Sequence, residues 1–256
     1  MPLMLQLLKT PTDLIVVACL VVTAGIASAQ GPVPDHDAHG LGWRIYQEAR
    51  LAAGTGPAAT PIHDYSHDLL TRLKTPKGDA EVRSTVYFLT PGLIRQEMET
   101  PGGKAVIIFD GEKVWRALAG EVQQLPAEAV QQIRSDLARS HVLLSPAPNP
   151  EAIRYLSQDE VEGRAVDVIQ ISDVGGTPLR LFVDAQSRGI LKKIFVGDVP
   201  GGGMAQVEEL YSDFREVAGY RWPHRRQVWR NGKLALDSTL LNLRVNIGLE
   251  VGDITR

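Results

Sequence analysis

Cysteine is nearly absent from this chain. Cys19 is the only one in 256 residues, and it lies in the N-terminal segment. A mature chain without that segment has no disulfide, no thiol nucleophile and no thiolate metal site. An excess of one charge is also lacking. The 27 Lys+Arg and 30 Asp+Glu residues leave a formal net charge of -3, so nucleic acid, which favours a strongly basic domain, is not an expected partner. No nucleophile elbow, phosphate loop, dinucleotide fingerprint or HExxH zinc motif occurs. The chain is therefore read as non-enzymatic, with no cofactor. No repeat of solenoid length is visible. With 44% hydrophobic and 22% charged residues the composition is that of a globular protein.

Residues 1–29 read as a signal peptide. Lys9 precedes an apolar run from Leu14 to Ile26, and the small-x-small pattern Ala27-Ser28-Ala29 follows. The run is shorter than the roughly 20 residues of a spanning helix. A permanent membrane anchor and lipid attachment at Cys19, after Val16-Val17-Ala18, are the weaker alternatives. Residues 30–40 read as a flexible leader, and 41–256 as a single domain.

Glycine and proline, 24 and 16, are plentiful and fall between short apolar runs, which favours many short strands. Leu41–Ala53 is the exception, with Leu41, Ile45, Ala49 and Ala52 near helical spacing. Turn residues then separate strands at 62–74, 81–89, 93–100, 105–109 and 114–117, an antiparallel meander. Pro126 opens a second helical stretch with Ala129, Ile133, Leu137 and Val142 on one face. Strands resume at Tyr155. About ten or eleven strands and two principal helices are expected.

Asn231-Gly232 is the strongest local signal, the preferred pair for a type I′ hairpin turn. Its two-residue loop predicts Trp229 opposite Leu234, Val228 opposite Ala235, Gln227 opposite Leu236 and Arg226 opposite Asp237. Trp229, Leu234, Leu236 and Gln227 would share one face. Beyond Ser238 the alternation shifts, which predicts a bulge. Large apolar residues occur on many strands: Phe88, Met98, Phe109, Trp115, Phe195, Trp222 and Trp229. In a closed barrel these and Leu234 and Leu236 are core; in a half-open one they line a hydrophobic cavity. The basic run Arg221, His224, Arg225, Arg226, Arg230 and Lys233 reads as a solvated strand face, or else as an attraction to anionic headgroups or an acidic partner. His63 and His67 share a face, but no third ligand is implied nearby, so no metal site is assigned.

The order of elements resembles the LolA/LolB-like periplasmic lipoprotein-carrier family. The resemblance rests on the signal peptide, the helix at Leu41–Ala53 and the hairpin Phe109-Asp110-Gly111-Glu112-Lys113-Val114-Trp115. It continues through the helical insertion at 125–144, Leu181-Phe182-Val183-Asp184, and Tyr211-Ser212-Asp213-Phe214-Arg215 followed by Gly219 and Trp222-Pro223. It implies an α+β fold, a half-open antiparallel barrel with helices covering a hydrophobic cavity. It further implies a periplasmic protein that binds a lipid or acylated lipoprotein without catalysis, makes at most transient membrane contact, and carries its ligand toward the outer membrane. An envelope sensor with a protein partner on its basic hairpin face is the alternative it implies. The carriers latch their helical lid with a buried arginine, to which no residue is assigned from sequence.

Overall fold

Five hairpins of this chain turn in the same way. Ala119-Gly120, Glu162-Gly163, Gly175-Gly176, Ala218-Gly219 and Asn231-Gly232 each place two consecutive residues at positive φ between paired strands. That is the type I′ conformation, whose twist matches that of the strands it joins. Repeating it folds the chain into successive antiparallel neighbours. The computed structural model describes residues 35–75, 78–100, 103–198 and 203–256.

Within these residues one antiparallel sheet of thirteen strands carries the fold. The strands are β1 (Asp64–Thr75), β2 (Gly78–Leu89), β3 (Leu93–Thr100), β4 (Gly103–Phe109), β5 (Val114–Leu118) and β6 (Glu121–Gln124). After a helical segment come β7 (Ile153–Val161), β8 (Arg164–Val174), β9 (Thr177–Asp184), β10 (Ile190–Asp198), β11 (Met204–Val217), β12 (Tyr220–Arg230) and β13 (Lys233–Val245). Their order is β6-β5-β4-β3-β2-β1-β13-β12-β11-β10-β9-β8-β7. Two meanders, β1 to β6 and β7 to β13, thus meet at a single seam between β1 and β13. Thirteen strands replace the expected ten or eleven. The four-residue β6 escapes a sequence reading because it is exposed throughout and carries no buried alternation. The sheet is open, with β6 and β7 at its edges.

Helix α1 (Asp35–Ala52) lies over β7 and β8 at one edge. Ala38, Ile45, Tyr46 and Ala49 form its buried stripe, at spacings that return to one helical face. It begins six residues before the apolar periodicity does, so 35–40 are helical rather than a leader. Contact between α1 and β7 is close because position 42 is glycine. A Cβ there would lie 2.7 Å from the Tyr155 backbone nitrogen. Residues 1–34, with the expected signal peptide and Cys19, lie outside the described residues.

Helix α2 (Ala127–Ser140) spans the inner face. Val130, Ile133 and Leu137 pack on Val82, Met98, Phe109 and Val114 of β2 to β5. Position 175, in the β8–β9 turn, is so close to α2 that a Cβ would lie 2.7 Å from the Ser135 carbonyl oxygen. β4 and β9 are eight strand steps apart in the sheet, roughly 38 Å if flat at about 4.8 Å per step. A helix about 10 Å across touches both sides, so the sheet curls around α2. Bulges help it to curl: registers shift between Ser66 and Asp68, between Ile190 and Lys192, and between Val228 and Trp229. Helix α3 (Val251–Thr255) buries Ile254 against β2 to β4.

Candidate functional site

Two apolar clusters form inside the curled sheet. One joins α1 to β7–β12, the other joins α2 to β2–β5. Between them lies a cavity of about 260 Å³. Its floor comes from β1, β13, β12, β11 and β10. Its roof is the end of α1, with Ala49 and Ala52, and the segment His141–Leu144 that follows α2. Leu69, Phe214, Trp222 and Leu240 supply apolar floor. The volume lies near the lower end of small-molecule sites, roughly 300–1,000 Å³.

A nest of aromatic rings closes one side. Tyr65 stacks on Phe88 with centroids 4.9 Å apart and on His67 at 5.5 Å, and meets the edge of Trp222 at 5.6 Å. His141, the C-cap of α2, stacks on Phe88 at 4.6 Å. Its Nε2 is 2.9 Å from the Tyr65 hydroxyl and its Nδ1 is 3.1 Å from the Leu137 carbonyl. The carbonyl can only accept, so Nδ1 carries the proton and Nε2 accepts from Tyr65. Burial lowers the His141 pKa to about 4, aided by the Lys193 charge and opposed by the Leu137 bond. Burial likewise lowers His67 to about 4, with Arg226 and His141 adding to it and Asp68 opposing. Both imidazoles are neutral at pH 7.

A charged group stands beside this nest. Lys193 of β10 is 5% exposed, and its ammonium donates to the Arg139 carbonyl of α2 at 2.8 Å. It also sits 5.2 Å from the Tyr211 ring centroid. Arg226 of β12 is 3.4 Å from one Glu209 oxygen; the other oxygen accepts the Tyr211 hydroxyl. Arg226 keeps 41% of its side-chain surface accessible although it lines the cavity, so that cation is free to meet a solute. Burial would raise the Glu209 pKa, but Arg226, Lys193 and the Tyr211 bond together hold it below the usual carboxylate range. One carboxylate thus serves two cations.

The roof is tied down at two points. Tyr46 of α1 donates to the Val142 carbonyl at 2.8 Å. Arg139 of α2 is 5% exposed and donates to the Gly175 carbonyl at 2.9 Å and to Thr177 Oγ1 at 3.2 Å. Its guanidinium carbon also lies 4.5 Å from the Phe195 ring centroid.

No family model and no curated protein matches this sequence. Solved structures match its shape. A domain described as that of an outer membrane lipoprotein-sorting protein from Vibrio parahaemolyticus gives a TM-score of 0.56 over 85% of this chain and 97% of its own, at 14% identity. A LolA superfamily protein from Nitrosomonas europaea gives 0.55 over 84% and 97%, at 12% identity. This is a LolA-like fold. A DUF1329 family protein from Desulfovibrio piger ATCC 29098 shares it, with a TM-score of 0.57 over 86% and 98% at 12% identity.

The LolA-like sheet distributes the sequence-predicted cavity residues over several places. Trp222 lines the cavity. Phe195 and Leu236 pack in the α1-side cluster next to it, and Phe88 stands behind Tyr65 in the aromatic wall. Met98 and Phe109 lie in the cluster under α2. Trp115 pairs with Ile108 and donates to Asp110 at 3.3 Å, on the face opposite Val114. Trp229 and Leu234 need correction. The observed register sets Trp229 opposite Leu234 but Val228 opposite Leu236, with Ala235 as the extra residue. Val228 and Leu236 therefore face the core, while Trp229 and its partner Leu234 face outward. The same shift pairs Gln227 with Asp237 and Arg226 with Ser238. A second shift, where Asp68 pairs with Leu241 and Ser66 with Arg244, lies in the region beyond Ser238 where a bulge is expected.

The basic run does not make one face. Arg225 donates to Asp237 on the outside at 2.7 Å, His224 is buried, and Arg221 and Arg226 line the cavity. His63 is exposed and His67 lines the cavity. Among the described residues no three His, Cys, Asp or Glu side chains converge. Lys193, Glu209, Tyr211 and His141 are the site residues that sequence reasoning misses. Lys192-Lys193 carried a usable signal: in a strand with one covered face, one of two adjacent lysines must point inward.

Proposed function

We propose that this protein is a periplasmic binding protein that encloses the apolar chain of a lipid or of an acylated lipoprotein between its curled sheet and the helices α1 and α2, and carries it toward the outer membrane. The observation that carries this reading is the cavity itself. It is lined on several sides by Leu69, Leu143, Leu144, Phe214, Trp222 and Leu240, and apolar surface facing a void gains from any chain that covers it. The LolA-like fold and the N-terminal segment read as a signal peptide support the same compartment and ligand class. The work required is binding and release, not bond making.

Native mass spectrometry of gently purified protein, followed by organic extraction, tests the reading. A co-purifying lipid, or displacement of a fluorescent fatty-acid probe, is the expected result. A protein that is ligand-free and ignores such probes refutes it. The sensor alternative loses its sequence basis, since the hairpin cations are divided between the outer surface and the cavity.

A further inference from the structure

A site for bare hydrocarbon is apolar throughout, because polar groups facing it would lose water without gaining a partner. This cavity is not. Lys193, Arg221 and Arg226 line it, and among the described residues no Asp or Glu does. Glu209, the carboxylate behind them, already holds Arg226 and Tyr211. The Lys193 ammonium has a neutral carbonyl, that of Arg139, as its hydrogen-bond acceptor. Arg221 donates to another carbonyl, that of Ser187, at 3.3 Å and lies over the Phe214 ring at 5.0 Å.

We propose that the cavity takes a single-chain amphiphile with an anionic headgroup, whose carboxylate or phosphate meets Lys193 and Arg226 while its chain covers Leu143, Leu144, Phe214 and Leu240. This rests on the reading that the cavity holds a lipid, and it adds which one. About 260 Å³ favours one chain over two or three. The lysine is a cation short of counter-charge: burial lowers its pKa to about 8, Glu209 opposes this, and Arg226 adds to it. A bound anion restores the missing charge.

Isothermal titration of the delipidated mature chain with four probes tests this: hexadecanoate, hexadecanoyl lysophosphatidate, hexadecanol and inorganic phosphate. At least one anionic amphiphile should bind about tenfold tighter than hexadecanol, the scale of one charge-assisted hydrogen bond. Preference between the two anions tells a fatty acid from a lipid headgroup. Lys193→Met should remove most of that advantage, read as the ratio of anion to hexadecanol affinity in the same variant; Glu209→Gln, which frees the cations, should enlarge it. If Lys193→Met fails to fold by circular dichroism, the wild-type comparison and Glu209→Gln decide. Equal binding of hexadecanol and both anions overturns the headgroup assignment and leaves the cavity reading standing. Inorganic phosphate binding as tightly as the amphiphiles overturns the need for a chain. Failure of every probe overturns both.

Discussion

Removing the Arg139 side chain should loosen the roof by an amount that can be worked out. Arg139→Ala deletes two hydrogen bonds from a charged donor, to the Gly175 carbonyl at 2.9 Å and to Thr177 Oγ1 at 3.2 Å. Together these contribute about 2–3 kcal/mol at the low end of the charged range, because the β8–β9 turn can regain water. Loss of the contact with Phe195, 4.5 Å from the guanidinium carbon, adds about 1 kcal/mol. Asp136, 3.5 Å away and 57% exposed, adds little. Freed rotamers return up to about 2 kcal/mol. The net expectation is a loss of about 2 kcal/mol. The bond from Lys193 persists, because its acceptor is the backbone carbonyl of Arg139. Urea unfolding of the ligand-free protein reads the global term, and native-state hydrogen exchange of the α2 amides reads the local one. Arg134→Ala is the control: on the same helix it makes an exposed bond to the Gly111 carbonyl and lies 6.0 Å from the Phe109 ring centroid, and should cost less than about 1 kcal/mol. If Arg139→Ala costs no more than this control and leaves α2 exchange unchanged, α2 is not held at the β8–β9 turn by this residue.

Acid should destabilise the fold through the buried imidazoles. His67 is lowered from 6.5 to about 4, so its neutral form stabilises the protein above pH 6.5, and that contribution falls away between 6.5 and 4. The shift corresponds to at most about 3 kcal/mol, less for a ring that borders a cavity. His67→Phe should flatten that limb in urea titrations at stepped pH; an unchanged limb assigns the acid sensitivity elsewhere. Two alanine substitutions in α1 should have opposite signs. Gly40→Ala meets nothing within 4 Å and should stabilise by up to about 1 kcal/mol. Gly42→Ala would put its Cβ 2.7 Å from the Tyr155 nitrogen and should lower the melting temperature by several degrees. Tyr46→Phe should cost about 1 kcal/mol through the bond to Val142, and should speed uptake of a fluorescent fatty acid in stopped flow.

Legibility in the sequence followed locality. Asn231-Gly232 announced its hairpin because asparagine and glycine accept positive φ at little cost. Glu162-Gly163 and Ala119-Gly120 adopt the same turn, but glutamate and alanine carry no such signal. Helix α2 was visible in Ile133 and Leu137, while the extra turns of α1 were hidden in the polar run from Asp35 to Gly40. The site was less legible than the fold. A one-residue bulge at Ala235 moved Trp229 and Leu234 outward, and no local pattern distinguishes a bulge from regular alternation. Lys193 and Glu209 face each other across β10 and β11, a pairing that depends on register between strands. The inward position of Arg226 depends on the registers of β12 with β11 and β13, which is why a cavity cation looked like surface.

The seam between β1 and β13 has a consequence for how the molecule comes together. Every other strand pairs with its neighbour in sequence, so each meander can zip up hairpin by hairpin from short-range contacts. The seam alone joins the two ends of the chain, with Tyr65 against Val245 and Leu73 against Leu236. Its closure bears the loop entropy of nearly the whole domain and is expected to be the last event in folding. The floor of the cavity includes Leu69 from one side of that seam and Leu240 from the other, and these two residues pair across it. The cavity therefore comes into being only when the two halves meet. Pulse-labelled hydrogen exchange should find the β1 and β13 amides protected after those of β8 and β9; simultaneous protection would show that the halves do not fold apart.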